Sequence, residues 1–499
     1  MKEQTKAKLI DICFFIIMVL LFSATVLPRN LANLDEIWNF NFARNIANGL
    51  IPYNDFNMLQ TPLLSFILGG IFKIFGQELF VMRIVSTILG AGIIFVSFKI
   101  LKELKLNTKW SILSSALLFL FIISDFYIDY NYAILFIIIL LIYIELKYKN
   151  YGIRYNLLIG LLAGITILLK QSTGIIISGI TILYLLLEKR DRETVKAILY
   201  RVLGVLIPCI ILFIYLLVTN SISSFIDYCI LGIGTFENSI SYLKLLQGGA
   251  INAFLGIIAP ITLVILFGIN MVNIKRKTIK PNVTYLILFI FALAQFTVVY
   301  PIADEIHFKI AVFPTILIVL FCICKKIQEI KNIKVSIFIE HFMNIITISF
   351  VGILILHAVN EIYLYTQMDK SVLNHFSNIP ISTTLQDRIL EVDSYIQNEA
   401  RDVYILDSEA AVYMIPLDKY NKDFDMFLKG NLGSASEEGQ IEKIKNMKNE
   451  VILIKNDRIA LNWQTPTKVI EYIKNNLEKI GTVSFFDAYI TKQGFGDGP

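Results

Sequence analysis

The chain has 499 residues, of which 56% are hydrophobic and 17% charged, with a formal charge of +5 and a mean hydropathy of +0.66. A water-soluble chain of this length exposes more charge, because much of its surface stays wet. A nucleic-acid-binding surface is excluded as well, because the Lys and Arg residues sit in short clusters between apolar runs, the pattern that orients a membrane protein.

The N-terminal MKEQTKAK precedes an apolar run from Leu9 to Leu27. That run is longer than a cleavable signal core and lacks good cleavage-site chemistry, so it reads as an uncleaved anchor. Further apolar runs of about 20 residues, the length that crosses a hydrocarbon core of about 30 Å, predict spans near 84–101, 110–124, 131–146, 155–169, 173–188, 202–219, 251–272, 283–300, 309–324 and 342–362, with boundaries set to within a few residues. With the first, about eleven spanning helices are expected. Basic clusters recur on alternate connections: Lys2/Lys6/Lys8, Lys102/Lys105/Lys109, Lys147/Lys149/Arg154, Lys189/Arg190/Arg192, Lys275/Arg276/Lys277/Lys280 and Lys325/Lys326/Lys331/Lys334. The connections Asp125 to Tyr130, Lys170 to Thr173 and Pro301 to Phe308 carry almost no positive charge. The basic set is therefore expected to be cytoplasmic, which puts the N-terminus inside and, after an odd number of spans, the C-terminus outside.

Two outer regions are too long for simple turns, residues 28–83 and 221–249, and both mix apolar and polar residues as interfacial helices do. Within the first, TPLLSFILGGIFKIFG is short for a span and contains Lys73, so it reads as a helix lying on the outer surface. Trp38/Phe42 and Ile37/Phe40 are expected to dip into the membrane interface. From about Asp369 the charges become frequent and mixed in sign. This divides the chain into a transmembrane domain, 1–368, and an extracytoplasmic α/β domain, 369–499. In the latter, Leu385, Ile389, Val392 and Ile396 form one helix face, DVYILD and EVILIK are strands, and EEGQIEKIKNMKN is a helix. TPTKVIEYIKNNLEKIG is a helix from Thr to Gly, and TVSFFDAYITK is a final strand. GNLGS, Gly430 to Ser434, has no Walker lysine and reads as a turn. Of five cysteines only Cys229 lies in an outer loop, so no disulfide framework is expected, and Cys322-x-Cys324 lacks the second ligand pair of a zinc site.

Residues able to carry chemistry gather at the outer face. Asp35 and Glu36 are adjacent carboxylates; near low-dielectric lipid such a group can act as a base, while on local sequence Asp35 equally suits a helix N-cap. Asp55 follows a Pro-Tyr-Asn turn and suits an Asx-turn as well as a substrate contact. Lys170 ends one span where a second begins almost at once, a costly place for an ammonium unless it snorkels or meets an anion such as a lipid phosphate. Asp304, Glu305, His307 and Lys309 cluster in YPIADEIHFKIAVFP, where His307 has no second His nearby to make a metal pair. Arg83 follows FGQELFVM and reads as an interfacial anchor.

Several segments in order resemble the GT-C glycosyltransferases, in the branch of bacterial protein O-mannosyltransferase-like and aminoarabinose-transferase-like enzymes. The segments are Asp35-Glu36 after the first span, GLIPYNDF, TPLL, IFG with Arg83, GLLAGITILLKQS with Lys170-Gln171, and YPIADEIHF with Asp304 and His307. They cover roughly residues 1–360. One departure is Thr61-Pro62 where that branch has Pro-Pro, which removes no catalytic group. The resemblance implies a polytopic α-helical GT-C fold and transfer of a hexose or pentose from a polyprenyl-phosphate-sugar donor in the membrane to an acceptor hydroxyl on protein, lipid or cell-wall glycan, with inversion. It implies Asp35 as general base, with Glu36 orienting the acceptor or helping hold a cation. Lys170, with Arg83 and His307, would bind the lipid phosphate, and Asp55, Gln171 and Asp304 would line the substrate site. Relatives differ in metal use; the sequence has no distinct ligand set, and a divalent metal stays open. A flippase or transporter often shows inverted repeats, broken spans and midplane ionisable residues; here no repeat is found and the ionisable residues gather in outer loops and at the outer membrane face. A non-catalytic receptor is disfavoured by the Asp35-Glu36 pair.

Overall fold

The computed structural model describes residues 2–31, 34–149, 152–188, 192–235, 246–275, 283–330, 333–457 and 464–491. Among the described residues, the chain opens with the helices α1 (Lys2–Val26), α2 (Leu34–Ala47), α3 (Leu63–Phe75), α4 (Leu79–Glu103), α5 (Thr108–Ile123), α6 (Tyr130–Tyr148), α7 (Ile153–Leu169), α8 (Gln171–Glu188) and α9 (Arg192–Val218). Among the described residues, seven stretches are long and apolar enough to cross a membrane: Thr5–Val26, Leu79–Glu103, Tyr130–Tyr148, Arg192–Val218, Ala250–Ile269, Glu305–Gln328 and His341–Gln367. Four other expected spans fall on shorter apolar helices, Thr108–Ile123, Ile153–Leu169, Gln171–Leu186 and Leu286–Val299, so length alone does not establish the count of eleven. The basic residues expected at 189–191, 276–280 and 331 lie outside the described residues.

The chain divides into two compact units. The first comprises residues 1–28, 83–211 and 240–367 and holds the long apolar helices. Its outward side chains are greasy: Leu203, Leu206, Ile207, Ile210 and Ile211 on α9, and Ile345, Ile348 and Leu356 on the helix Ile333–Gln367, are all exposed. A surface of this kind suits lipid, and backbone groups facing lipid must be satisfied within the helices. Inside, Arg201 of α9 and Glu145 of α6 form a fully buried ion pair of 2.7 Å. Tyr155 donates to Glu145, and Arg201 also donates to Asn156 and to the Thr181 carbonyl. The pair is therefore neutralised and hydrogen-bonded, the condition under which charges are tolerated away from water. Small residues let α7 and α9 approach closely enough to make it. A Cβ at Gly160 would lie 2.1 Å from the Arg201 carbonyl oxygen, and one at Gly164 would lie 2.7 Å from that of Val205.

The second unit comprises residues 29–82, 212–239 and 368–499. Its sheet has the order β1-β2-β4-β3, with β1 (Val403–Ile405) parallel to β2 (Val451–Lys455), and β4 (Phe486–Ile490) antiparallel to both β2 and β3 (Glu478–Val483). The helices Thr383–Asn398, Ser436–Asn446 and Thr467–Asn476 match three expected helices. The third ends earlier than expected: Leu477 is extended, and EKIGTV pairs as β3 with β4 through a turn at Ser484, where φ is 53°. Hairpin pairing overrides the helical periodicity of that stretch. The final strand stops at Ile490, and Lys492 lies outside the described residues.

In the same unit α2 is enclosed by protein. Trp38 and Phe42 join a buried cluster with Phe56, Leu216, Tyr228 and Leu428, and the Trp38 Nε1–H donates to the Ser408 carbonyl at 2.7 Å. Phe40 packs on Phe72 and Phe376. These aromatics therefore do not dip into the membrane interface as expected, because tertiary partners cover every face of the helix. α3 crosses α2 at Gly69, where a Cβ would lie 2.9 Å from the Ala43 carbonyl oxygen, and it leaves Ile67, Ile74 and Phe75 exposed. All five cysteines are free thiols, and Cys229 is buried against Tyr53 instead of facing solvent. In the second outer region, residues 236–245 lie outside the described residues.

The α7–α9 approach gives a direct test. Gly160→Ala should lower the thermal stability of the detergent-purified protein by about 1–3 kcal/mol, because the neighbouring backbone cannot yield. Gly179→Ala, with open space around it, should leave the melt unchanged.

Candidate functional site

In the first unit, three connections poor in positive charge converge. Lys170 is the residue that caps the C-terminus of α7, extended at φ −153°, and is buried. Its Nζ donates to Asn131 Oδ1 at 3.2 Å and to the Val298 carbonyl at 3.0 Å, and it lies 5.6 Å from the Tyr130 ring centre. Both acceptors are neutral oxygens; the carboxylates of Asp129 and Asp304 act on the ammonium through space. Asp129 caps α6 by accepting from the Tyr132 N–H, and Asn131 donates to its second oxygen. Asp304 caps the helix Glu305–Gln328 in the same way, accepting from the backbone N–H of His307.

His307 links the two caps. Its Nδ1 lies 2.7 Å from Asp304 Oδ1, and its Nε2 lies 3.4 Å from Asn131 Nδ2. Burial opposes ionisation of Asp304, but the His307 ring and the helix N–H groups outweigh it and hold the carboxyl below the usual carboxylate range. An ionised Asp304 accepts only, so the network assigns the proton to Nδ1 and leaves Nε2 to accept from Asn131. Lys309 pairs with Asp125 and Glu305, tying the first of these connections to the third. Gln171 opens α8 next to Lys170. Arg83 is elsewhere: it is fully buried on α4 and donates to the Leu27 carbonyl at the end of α1, so it is not the exposed interfacial anchor expected. The helix starts at Leu79, four positions earlier, which carries Arg83 inside.

The second unit holds the remaining expected site residues. Asp35 and Glu36 lie inside the first turn of α2, Asp35 half-buried and Glu36 buried. Asp35 is thus not the N-cap; both carboxylates sit where the helix dipole favours negative charge. The Asn39 side chain donates to the Asp35 carbonyl at 2.8 Å. Asp55 closes the loop that begins at Ile51, its Oδ2 accepting from the Ile51 N–H four residues upstream at 2.7 Å, so it is not the Asx-turn residue expected, which would bond the backbone two residues on. GNLGS is a turn as read, and it has a partner: Ser434 donates to the Asp227 carboxylate through its backbone N–H and its hydroxyl.

The α/β domain grips α2 by its polar face. Asn41 and Asn45, one helical turn apart, each donate at 3.2 Å to one oxygen of Asp425. Arg44 pairs with Asp418 at 2.9 Å, and Asp418 also accepts from His375 and Asn374. Burial pushes the Asp425 carboxyl up to about 7, against the opposing pull of Asn41, Asn45 and Arg44.

The sequence reading missed Asp129, Asn131, Asn41, Asn45 and Asp425. Two signals were present. Asp-x-Asn opens a span at 129–131, and Asn39, Asn41, Arg44 and Asn45 are too polar for a helix floating at an interface. Among the described residues, no group of three or more His, Cys, Asp or Glu side chains is placed to hold a metal ion.

Because folding raises the Asp425 pKa, its favourable contribution is full below the unfolded value near 4 and is lost as the pH climbs toward about 7. Melts of the full chain should show stability falling between pH 5 and 7, with at most about 1.4 kcal/mol per pH unit from this carboxyl. Asp425→Asn should lessen that slope, leaving what Asp393, which burial also raises to about 7, and the burial-raised Asp407, Glu450 and Glu78 contribute.

Comparison with known proteins follows the same lines. Residues 59–219 match the family model described as dolichyl-phosphate-mannose-protein mannosyltransferase. A search of curated protein sequences returned no match. Among solved structures, ArnT from Cupriavidus metallidurans bound to undecaprenyl phosphate aligns with a TM-score of 0.56 at 12% identity, over 98% of this chain and 99% of that one. The apo state of the same protein aligns at 0.54 and 11%, over 98% of each chain. The arabinofuranosyltransferase AftD from Mycobacteria aligns at 0.50 and 9%, over 98% of this chain and 40% of that one. The chain is thus a multi-pass membrane protein with the GT-C glycosyltransferase fold, and residues 59–219 carry the mannosyltransferase family's sequence pattern.

Proposed function

We propose that the chain moves a sugar from a polyprenyl-phosphate-linked donor to an acceptor hydroxyl at the outer face of the cytoplasmic membrane, with inversion. In this reading the N-terminus is cytoplasmic and the α/β domain extracytoplasmic. The observation that carries it is Lys170, a buried ammonium whose hydrogen-bond acceptors are neutral oxygens. Such a charge is costly to keep, and an anion arriving beside it offsets the cost. The match to a mannosyltransferase family model and the fold shared with a protein captured on undecaprenyl phosphate support a lipid phosphate as that anion.

Asp35 takes the proton of the acceptor hydroxyl as its oxygen attacks the anomeric carbon. The bond from that carbon to the phosphate oxygen breaks, and its electron pair leaves with the polyprenyl phosphate. The leaving group needs little protonation, so one base and fixed positive charge suffice. Glu36 orients the acceptor. Lys170 holds the phosphate, with Asn131 fixing its ammonium and Asp304–His307 fixing Asn131. Gln171 adjoins the phosphate site, Arg83 holds the end of α1 in place of binding phosphate, and Asp55 shapes the loop after α2.

With a radiolabelled undecaprenyl-phosphate sugar, Asp35→Asn should bind donor normally and lose transfer by about 10²–10⁴-fold. Lys170→Ala should weaken donor binding by about tenfold or more. Normal turnover by Asp35→Asn would remove the base assignment. Mass spectrometry of surface glycans and lipid-linked sugars, with and without the gene, should reveal which sugar and acceptor change.

A further inference from the structure

In the second unit, α2 and the α/β domain line a half-open cavity of about 280 Å³ that no step above uses. Its apolar floor includes Leu34 and Ile37, which flank Asp35-Glu36 in the first turn of α2. Tyr413 and Phe485 supply aromatic walls, and Arg388 and Glu409 stand at the rim. The Arg388 guanidinium lies 4.5 Å from the centre of the Phe485 ring.

The chemistry of these walls is selective. At about 30 Å³ per water, the space equals roughly nine waters, enough for one sugar ring. A sugar ring has an apolar C–H face and a rim of hydroxyls; aromatic rings meet the first, and a guanidinium donor with a carboxylate acceptor meets the second. The charges of the lining balance, one Arg388 against one Glu409, and Lys455, outside the lining, pairs with Glu409 at 3.3 Å and with Asp407 at 3.2 Å. An anionic ligand loses at Glu409 what it gains at Arg388, and a cation the reverse, so a neutral polyol is favoured.

We propose that this cavity is an acceptor subsite that binds one neutral sugar ring of a glycan and so brings a glycan hydroxyl to the helix bearing Asp35. The assignment of the bound sugar as acceptor rests on the transferase reading; the binding itself does not. It commits the acceptor to carbohydrate, and gives the appended domain a part in choosing it.

The test is saturation-transfer NMR on the full-length protein in detergent. The probes are the methyl glycosides of glucose, galactose, mannose and N-acetylglucosamine, with glucose 6-phosphate as the anionic comparison. At least one neutral glycoside should show saturation strongest on its ring C–H protons. Arg388→Ala and Phe485→Ala should bind it about tenfold more weakly. Arg388 is exposed, so its variant should fold even where loss of Phe485 disturbs the domain. Asp35→Asn should bind as wild type, and inactive wild-type protein that still binds would sink the transferase reading alone. The subsite is overturned if no neutral glycoside binds, if glucose 6-phosphate binds instead, or if Arg388→Ala binds undiminished.

Discussion

The Asp425 carboxylate, buried in the α/β domain and held by Asn41 and Asn45, is the constraint on which the second unit depends. A buried carboxylate left without its donors costs roughly 1–3 kcal/mol or more, so the helix and the domain cannot part cheaply. The two amides are one helical turn apart, and they set the rotation of α2 against the sheet as well as its distance. Arg44 with Asp418, and Trp38 with the Ser408 carbonyl, hold the helix further along and around it. The carboxylates at the start of α2 are thereby carried on a helix with little freedom to tilt. A domain that on sequence alone looks appended is part of the scaffold for the proposed base.

The helical unit solves a different problem, keeping charge in a low-dielectric surrounding. It does so in two ways. Glu145 and Arg201 neutralise one another and fill their remaining hydrogen bonds with Tyr155, Asn156 and a carbonyl, which makes a closed structural pair. Lys170 is left open by contrast: an amide oxygen and a carbonyl orient it, and its carboxylates act through space. The first arrangement stabilises helix packing, and the second keeps a positive charge available to an incoming anion. Orientation passes outward through Asn131 to His307 and Asp304, and two helix caps supply the fixed carboxylates at the ends of that chain. Positioning a flexible lysine through neighbours that are themselves pinned is what electrostatic preorganisation requires.

Much of this was legible in the sequence by itself. Long apolar runs and the alternation of basic clusters determine a polytopic helical protein, because the bilayer imposes a length and a charge rule on each span. The shift to mixed charge near Asp369 marks where the α/β part of the chain begins, and the two periodicities determine its helices and most of its strands. The ordered segments from Asp35-Glu36 to YPIADEIHF pointed to the fold that the structural comparisons also found. Only the tertiary structure decided which polar groups meet. Asn131 joins Lys170 across 39 residues, and Asn41 joins Asp425 across 384. Local pattern is blind to such pairings because hydrogen bonds need proximity in space, and proximity comes from packing. The same reason turned Trp38 and Phe42 from membrane-facing residues into core, drew Arg83 inside, and made a strand of the helical-looking Glu478–Val483, where pairing with β4 outweighed local preference.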